Sequence, residues 1–241
     1  MFNVWGLANA RPTRDIDLLG HVSNAIDHLV SIFQDICGLE VEPDGLEFDA
    51  NEVHGESIKE DADYEGIRIT LMARLGKTQL PIQIDICFAD VITPAPTIVD
   101  FPTILDFPAP HLYGYPPETV IAEKFQAMTA LGMTNSRMKD FYDIWRLAGY
   151  FEFDGKILQN AIRRTFDNRS TELPSETHVI FSDEFAVNKR AQWNSFSKKL
   201  RNENTIDMVQ IVELMRKFLP PVLHASHQGI VFKQKWKNKW R

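Results

Sequence analysis

Residues 67–88 read IRITLMARLGKTQLPIQIDICF, and their alternation decides the fold class. Ile67, Ile69, Leu71, Ala73 and Leu75 alternate with Arg68, Thr70, Met72 and Arg74, the period of two that gives a strand with two chemically different faces. Gly76-Lys77 turns the chain back. In the returning strand Ile82, Ile84, Ile86 and Phe88 hold one face, while Gln83, Asp85 and Cys87 hold the other. Asp85 is therefore expected to point away from the aliphatic side.

Upstream, Arg11-Pro12-Thr13-Arg14-Asp15-Ile16-Asp17 places two carboxylates two residues apart. In an extended strand they project side by side while Ile16 packs the other way. Parallel carboxylates repel unless a cation sits between them, and Mg²⁺ or Mn²⁺, with phosphate oxygens and water as further ligands, is the natural choice. Asp85 offers a third carboxylate for metal or for a proton. The plainer reading of Asp15 and Asp17 is a solvated strand-end turn.

Apolar spacing through Val22, Ile26, Leu29, Val30 and Phe33 predicts a helix over Val22 to Ile36, ended by Gly38. Leu46 to Glu65 reads as short strands and turns. Pro94 to Pro117, rich in proline, reads as an extended surface connection, and Pro117 opens a helix to Leu131. A second helix runs from about Ser136 to Leu147. On both helices one charge falls on the packing side: Lys124 near the middle of the first apolar arc and Asp140 between Leu147 and Ile144 on the second. An unpaired buried charge is costly, so the two either approach each other or face a polar cleft that receives a triphosphate. Beyond Phe151 the chain reads as mainly helical, notably Lys156 to Phe166 and Met208 to Leu219, with Pro220-Pro221 as a stop. The expected organisation is an α/β (α+β) domain over residues 1–150, a mixed β-sheet flanked by helices, followed by a mainly helical C-terminal region over 151–241.

With 241 residues, 44% hydrophobic and 24% charged, the chain has the balance of a soluble globular protein. Cys37 and Cys87 lack disulfide or zinc-ligand spacing, no apolar run nears the roughly 20 residues that span a bilayer, and the first ten residues lack a basic leader. A cytoplasmic protein without membrane contact is expected. A net charge of -7 argues against a chain that wraps nucleic acid over its whole surface. One local exception is Lys233, Lys235, Lys237 and Lys239 alternating around Trp236 and Trp240 before Arg241, which reads either as a solvated tail or as a phosphate-binding, base-stacking segment.

The segments RPTRDIDL, QIDI, ETVIAEKFQAM and SRMKDFYDIWRL, in that order between Phe2 and Leu147, resemble the motifs of the nucleotidyltransferase AbiEii/AbiGii toxin family. The resemblance implies the nucleotidyltransferase fold and transfer of a nucleotide from an NTP to RNA (tRNA included) or protein, with a cognate antitoxin as partner. Carried onto this chain, it makes Asp15 and Asp17 the metal-binding pair and Asp85 the later strand carboxylate. It also makes Lys124 the lysine of the helical motif and Asp140 the aspartate after a basic residue, with Asp143 one turn on. Arg11, Thr13, Lys124 and Asp143 are the expected nucleotide-binding set; Asp15, Asp17, Asp85, Lys124 and Asp140 are the expected catalytic set. The family places a strand and a Gly-rich turn upstream of the D-x-D, and this sequence begins after that point. A helix beginning at Met1, through Val4, Trp5 and Leu7, is therefore expected to start in mid-turn, from a misplaced start or a truncated gene. The rivals are a module of the same fold that binds nucleotide or partner without turnover, and a D-x-D phosphohydrolase, for which the apolar strand leading into Asp15 is missing.

Overall fold

The computed structural model describes all residues except 1–3, 8–10, 12–14, 62–63, 104 and 201–205, and leaves aside the side chains of 15, 59–61, 64 and 65. The chain forms two compact units, a strand unit of residues 12–90 and a helical unit of residues 1–11 with 91–241.

The strand unit holds β1 (Asp15–Leu19), α1 (Ile26–Cys37), β2 (Leu46–Phe48), β3 (His54–Asp61), β4 (Tyr64–Leu75) and β5 (Thr78–Cys87). Their sheet runs β1-β5-β4-β2, with β3 also on β4. The alternation at 67–88 becomes the antiparallel β4–β5 hairpin, closed at Leu75↔Thr78 around Gly76, whose φ of 58° suits a residue without a Cβ. β1 pairs with β5 in parallel, so the sheet is mixed. Ile67, Ile69, Leu71, Ile84 and Ile86 form one buried face with Leu29 of α1 and Val53. Glycine at position 55 lets α1 approach β3: a Cβ there would lie 2.7 Å from Ile26 Cγ2 and 2.9 Å from Val30 Cγ2. The helix starts later than the spacing predicts, leaving Val22 exposed ahead of it, and ends at Gly38 as expected.

In the helical unit, β6 (Thr97–Asp100) and β7 (His111–Gly114) pair antiparallel, so the proline-rich segment is a short ribbon rather than a plain connection. Then follow α2 (Pro117–Leu131), α3 (Met138–Tyr150), β8 (Phe153–Asp154), α4 (Gly155–Asn168), α5 (Asp183–Ser197), α6 (Met208–Phe218), α7 (Pro220–His227) and β9 (Lys235–Trp236). Pro117 stands in the first turn of α2, and Pro220-Pro221 both stops α6 and opens α7, where the missing amide hydrogens cost nothing. Asp154 caps α4 through the amides of Lys156 and Ile157, and Asp207 with Gln210 forms a capping box on α6.

One core unites the helices α2 to α7. Phe141, Ile144 and Leu147 of α3 pack in the same cluster as Leu158 and Ile162 of α4 and Ile211 and Phe218 of α6. The boundary read from the sequence near residue 150 falls inside this continuous core. Near the N-terminus Val4 to Gly6 form a turn, not the expected helix, with Leu7 buried and Trp5 edge-on to Phe151. The tryptophans of the basic C-terminal segment are core residues too, neither a solvated tail nor a platform for bases. Trp236 is 1% exposed and donates to Ala148 O, while Trp240 donates to Phe218 O and stacks on the Phe218 ring. Among the described residues no helix is long and apolar enough to cross a membrane.

Candidate functional site

The face of the strand unit opposite α1 carries the predicted carboxylates. Residues paired directly across a sheet share a face, and the register lines up Asp17 of β1 with Asp85 of β5, Asp85 with Arg68 of β4, and Arg68 with Glu56 of β3. A charged row thus crosses four strands. Arg68 grips Asp85 with a bidentate fork, Nε to Oδ1 at 2.8 Å and Nη2 to Oδ2 at 2.9 Å. With its amide oxygen turned inward, Gln83 accepts from both of those guanidinium nitrogens at 3.1 Å. Asp85 is 8% exposed, whereas Asp17 is exposed on the open side of the same row. The backbone of Asp15 pairs with Gln83 in the neighbouring row. Thr13 lies outside the described residues.

This donor chemistry fits a hard divalent cation. Asp17 and Asp85 supply carboxylate oxygens from adjacent, in-register strands, as Mg²⁺ prefers. The Arg68 fork occupies one lone pair on each Asp85 oxygen and leaves a second available on each. Among the described residues no group of three or more His, Cys, Asp or Glu converges as a ready metal cage; the Asp15 side chain is not among them.

The helical unit gathers the other predicted residues. Asp140 and Asp143 sit three apart on α3, both 0% exposed, on one face of the helix. Lys124 of α2 bridges them, Nζ lying 3.0 Å from Asp140 and 2.9 Å from Asp143. Arg11 closes a bidentate pair on Asp143 at 2.9 and 2.8 Å, and Arg137 Nε lies 2.8 Å from Asp140 Oδ2. Of the two arrangements open to Lys124 and Asp140, direct approach is the one adopted. Burial works against the Lys124 charge, but Asp143 and then Asp140 outweigh it and hold the ammonium above its ordinary pKa. Burial likewise works against the Asp140 carboxylate, and Lys124 and Arg137 outweigh it in turn, holding it below its ordinary pKa. Three cations around two carboxylates leave an excess of positive charge.

Arg68 and Arg137 are not among the expected site residues. Arg68 belongs to the polar alternation of β4, but its register against Asp85 is a long-range fact. Arg137 precedes Asp140 by three residues in the SRMKD segment, a helical spacing that the sequence does show.

Residues 2–213 match the family model described as nucleotidyl transferase AbiEii toxin, type IV toxin–antitoxin system. The chain belongs to the AbiEii toxin family. The AbiEii match takes in both groups of residues and stops within α6, short of α7 and β9. The fold is similar to that of JHP933 from Helicobacter pylori, with a TM-score of 0.52 at 15% identity over 92% of this chain and 82% of that one. A candidate nucleotidyltransferase from H. pylori aligns with a TM-score of 0.47 at 16% identity, over 94% of this chain and 83% of that one. Comparison with curated proteins gives no match.

Proposed function

We propose that this AbiEii-family chain transfers a nucleotide from an NTP to a hydroxyl of RNA or protein, using a divalent metal. The observation that carries the reading is the row Asp17, Asp85, Arg68 on the face of the sheet opposite α1, in a chain whose family is that of nucleotidyltransferase toxins. In the proposed reaction the acceptor oxygen attacks the α-phosphorus in line, the bond from that phosphorus to the β-phosphate bridging oxygen breaks, and pyrophosphate leaves. Asp15, Asp17 and Asp85 would hold Mg²⁺ or Mn²⁺, which supplies charge neutralisation for the triphosphate. Asp85 accepts the acceptor's proton on a lone pair that Arg68 leaves open, and Arg68 fixes its orientation. Lys124 and Arg11, with Thr13, contribute charge and hydrogen bonds to nucleotide phosphate, while Asp140 and Asp143 hold the two cations in place. A cytoplasmic location with a cognate antitoxin follows from the same reading.

Incubating the protein with each labelled NTP, Mg²⁺, and either total RNA or cell lysate tests the proposal. Label on a macromolecule together with released pyrophosphate is the expected result. Binding of NTP without pyrophosphate release would mark a module that keeps the fold without turnover.

A further inference from the structure

The C-terminal hairpin has two chemically opposed faces. Trp236 pairs with Trp240, Lys235 and Arg241 exchange backbone hydrogen bonds at 2.9 and 3.2 Å, and Asn238 turns the tip with a φ of 61°. β9 in turn pairs with β8, through Phe153↔Trp236 and Asp154↔Lys235. Because paired residues share a face and neighbours alternate, the tryptophans enter the core while Lys235, Lys237, Lys239 and Arg241 all stand on the solvent side.

That side is poorly neutralised. Cross-strand like charges are unfavourable, yet Lys235 lies opposite Arg241 and Lys237 opposite Lys239. Two carboxylates flank them. Glu152 pairs with Lys237 at 2.5 Å, and Asp154 is engaged in capping α4. Lys235 and Lys239 form no ion pair among the described residues. The hydrogen bond and charge of Lys237, with Arg241 and Lys235 behind, hold Glu152 below its ordinary pKa, as a local positive field does. A purely structural hairpin gains nothing from this clustering, and buried Trp236 with half-buried Trp240 anchors it to the core.

We propose that the cationic face formed by Lys235, Lys237, Lys239 and Arg241 docks the phosphate backbone of RNA. A protein partner is disfavoured because protein interfaces are depleted in lysine and rely on aromatic anchors, and both tryptophans here are turned inward. A membrane surface is disfavoured because lasting interfacial binding combines charge with inserted apolar side chains, and the tryptophans of this hairpin pack toward the core. The choice of RNA over DNA rests on the transfer reading, because RNA carries a hydroxyl acceptor on every ribose. Contact is with phosphates alone, without stacking, so it is indifferent to base sequence and sensitive to salt. The hairpin lies outside the residues matched by the family model, so the proposal does not rest on the AbiEii motifs.

Fluorescence anisotropy of a labelled oligouridylate, without nucleotide or divalent metal, tests the surface separately from catalysis. The variant Lys235→Gln/Lys239→Gln/Arg241→Gln removes three exposed cations and should keep the wild-type circular dichroism and melting temperature. Each lost phosphate contact lowers the salt slope by about 0.7, so the triple variant should bind roughly tenfold more weakly at low salt with a slope shallower by about 2. A control, Lys198→Gln/Lys199→Gln, alters exposed lysines elsewhere and should bind as wild type. Unchanged RNA binding in the triple variant, an equal loss in the control, or preferential binding of wild type to phosphatidylserine vesicles would each overturn the proposal. Absence of nucleotide transfer would leave the RNA-binding result standing, so the two readings fail separately.

Discussion

Arg68 is the residue that changes the picture of the carboxylate site most. The alternation of residues 67–88 is enough to put Asp85 on the polar face, and the structure keeps it there. What the alternation does not contain is register: that Arg68 stands opposite Asp85, and Asp85 beside Asp17, follows from how β4, β5 and β1 slide against one another. A bidentate fork fixes a carboxylate in plane, which a lysine cannot do. Arg68→Lys is therefore expected to lower kcat for nucleotide transfer by about 10- to 100-fold, the usual cost of losing an orienting partner. NTP affinity by calorimetry should change little. Arg68 is about a third exposed, so the ion pair contributes at most about 1 kcal/mol to stability and the melting temperature should hardly move. Wild-type kcat in Arg68→Lys would show that Asp85 needs no such positioning.

At the scale of elements, α2 and α3 owe their mutual placement to an ion network as well as to apolar packing. Lys124 and Asp140 were legible as charges on apolar arcs, and their meeting follows from the cost of burying either alone. Arg11 was not legible as the partner of Asp143, because the two are far apart in sequence. Lys124→Met removes the cation that bridges two fully buried carboxylates and should cost about 3–5 kcal/mol, read from the denaturant midpoint. A loss under about 1 kcal/mol would show that Arg11 and Arg137 suffice. The network also sets a pH dependence. Asp140 is held below its ordinary pKa, so its contribution is complete above the unfolded aspartate range and is lost as pH falls through the lower folded value. Lys124 is held above its ordinary pKa, so its contribution is complete below the unfolded lysine value and is lost as pH rises through the higher folded one. Melting temperature against pH should therefore fall at both extremes. The Asp140→Asn variant should show a weaker acid-side decline, and an identical acid limb would contradict the assignment.

For the whole molecule, the sequence was most informative where one short-range rule governs. The β4–β5 hairpin, α2 with its proline start, α4 and α6 all follow from period and caps. It was least informative where packing decides the outcome. The tryptophans between lysines look like an exposed aromatic and basic segment until Phe218, Ala148 and Phe153 supply the core that receives them. The proline-rich stretch hides the β6–β7 ribbon because prolines flank it and mask its short strands. Chain division shows the same limit: α3 and α4 share one core, whereas composition offered no mark at residue 90.

The central claim is that the carboxylates beside Arg68 support metal-dependent nucleotidyl transfer. Its most direct measurement is pyrophosphate released per labelled nucleotide transferred, across a Mg²⁺ titration, for wild type and Asp17→Asn. Asp17 is exposed, where an interaction contributes little to stability, so the substitution should move the melting temperature only slightly. The account predicts equimolar release and transfer in the wild type, rising with Mg²⁺, and loss of both in Asp17→Asn. Equal transfer by the two proteins at every Mg²⁺ concentration would contradict it.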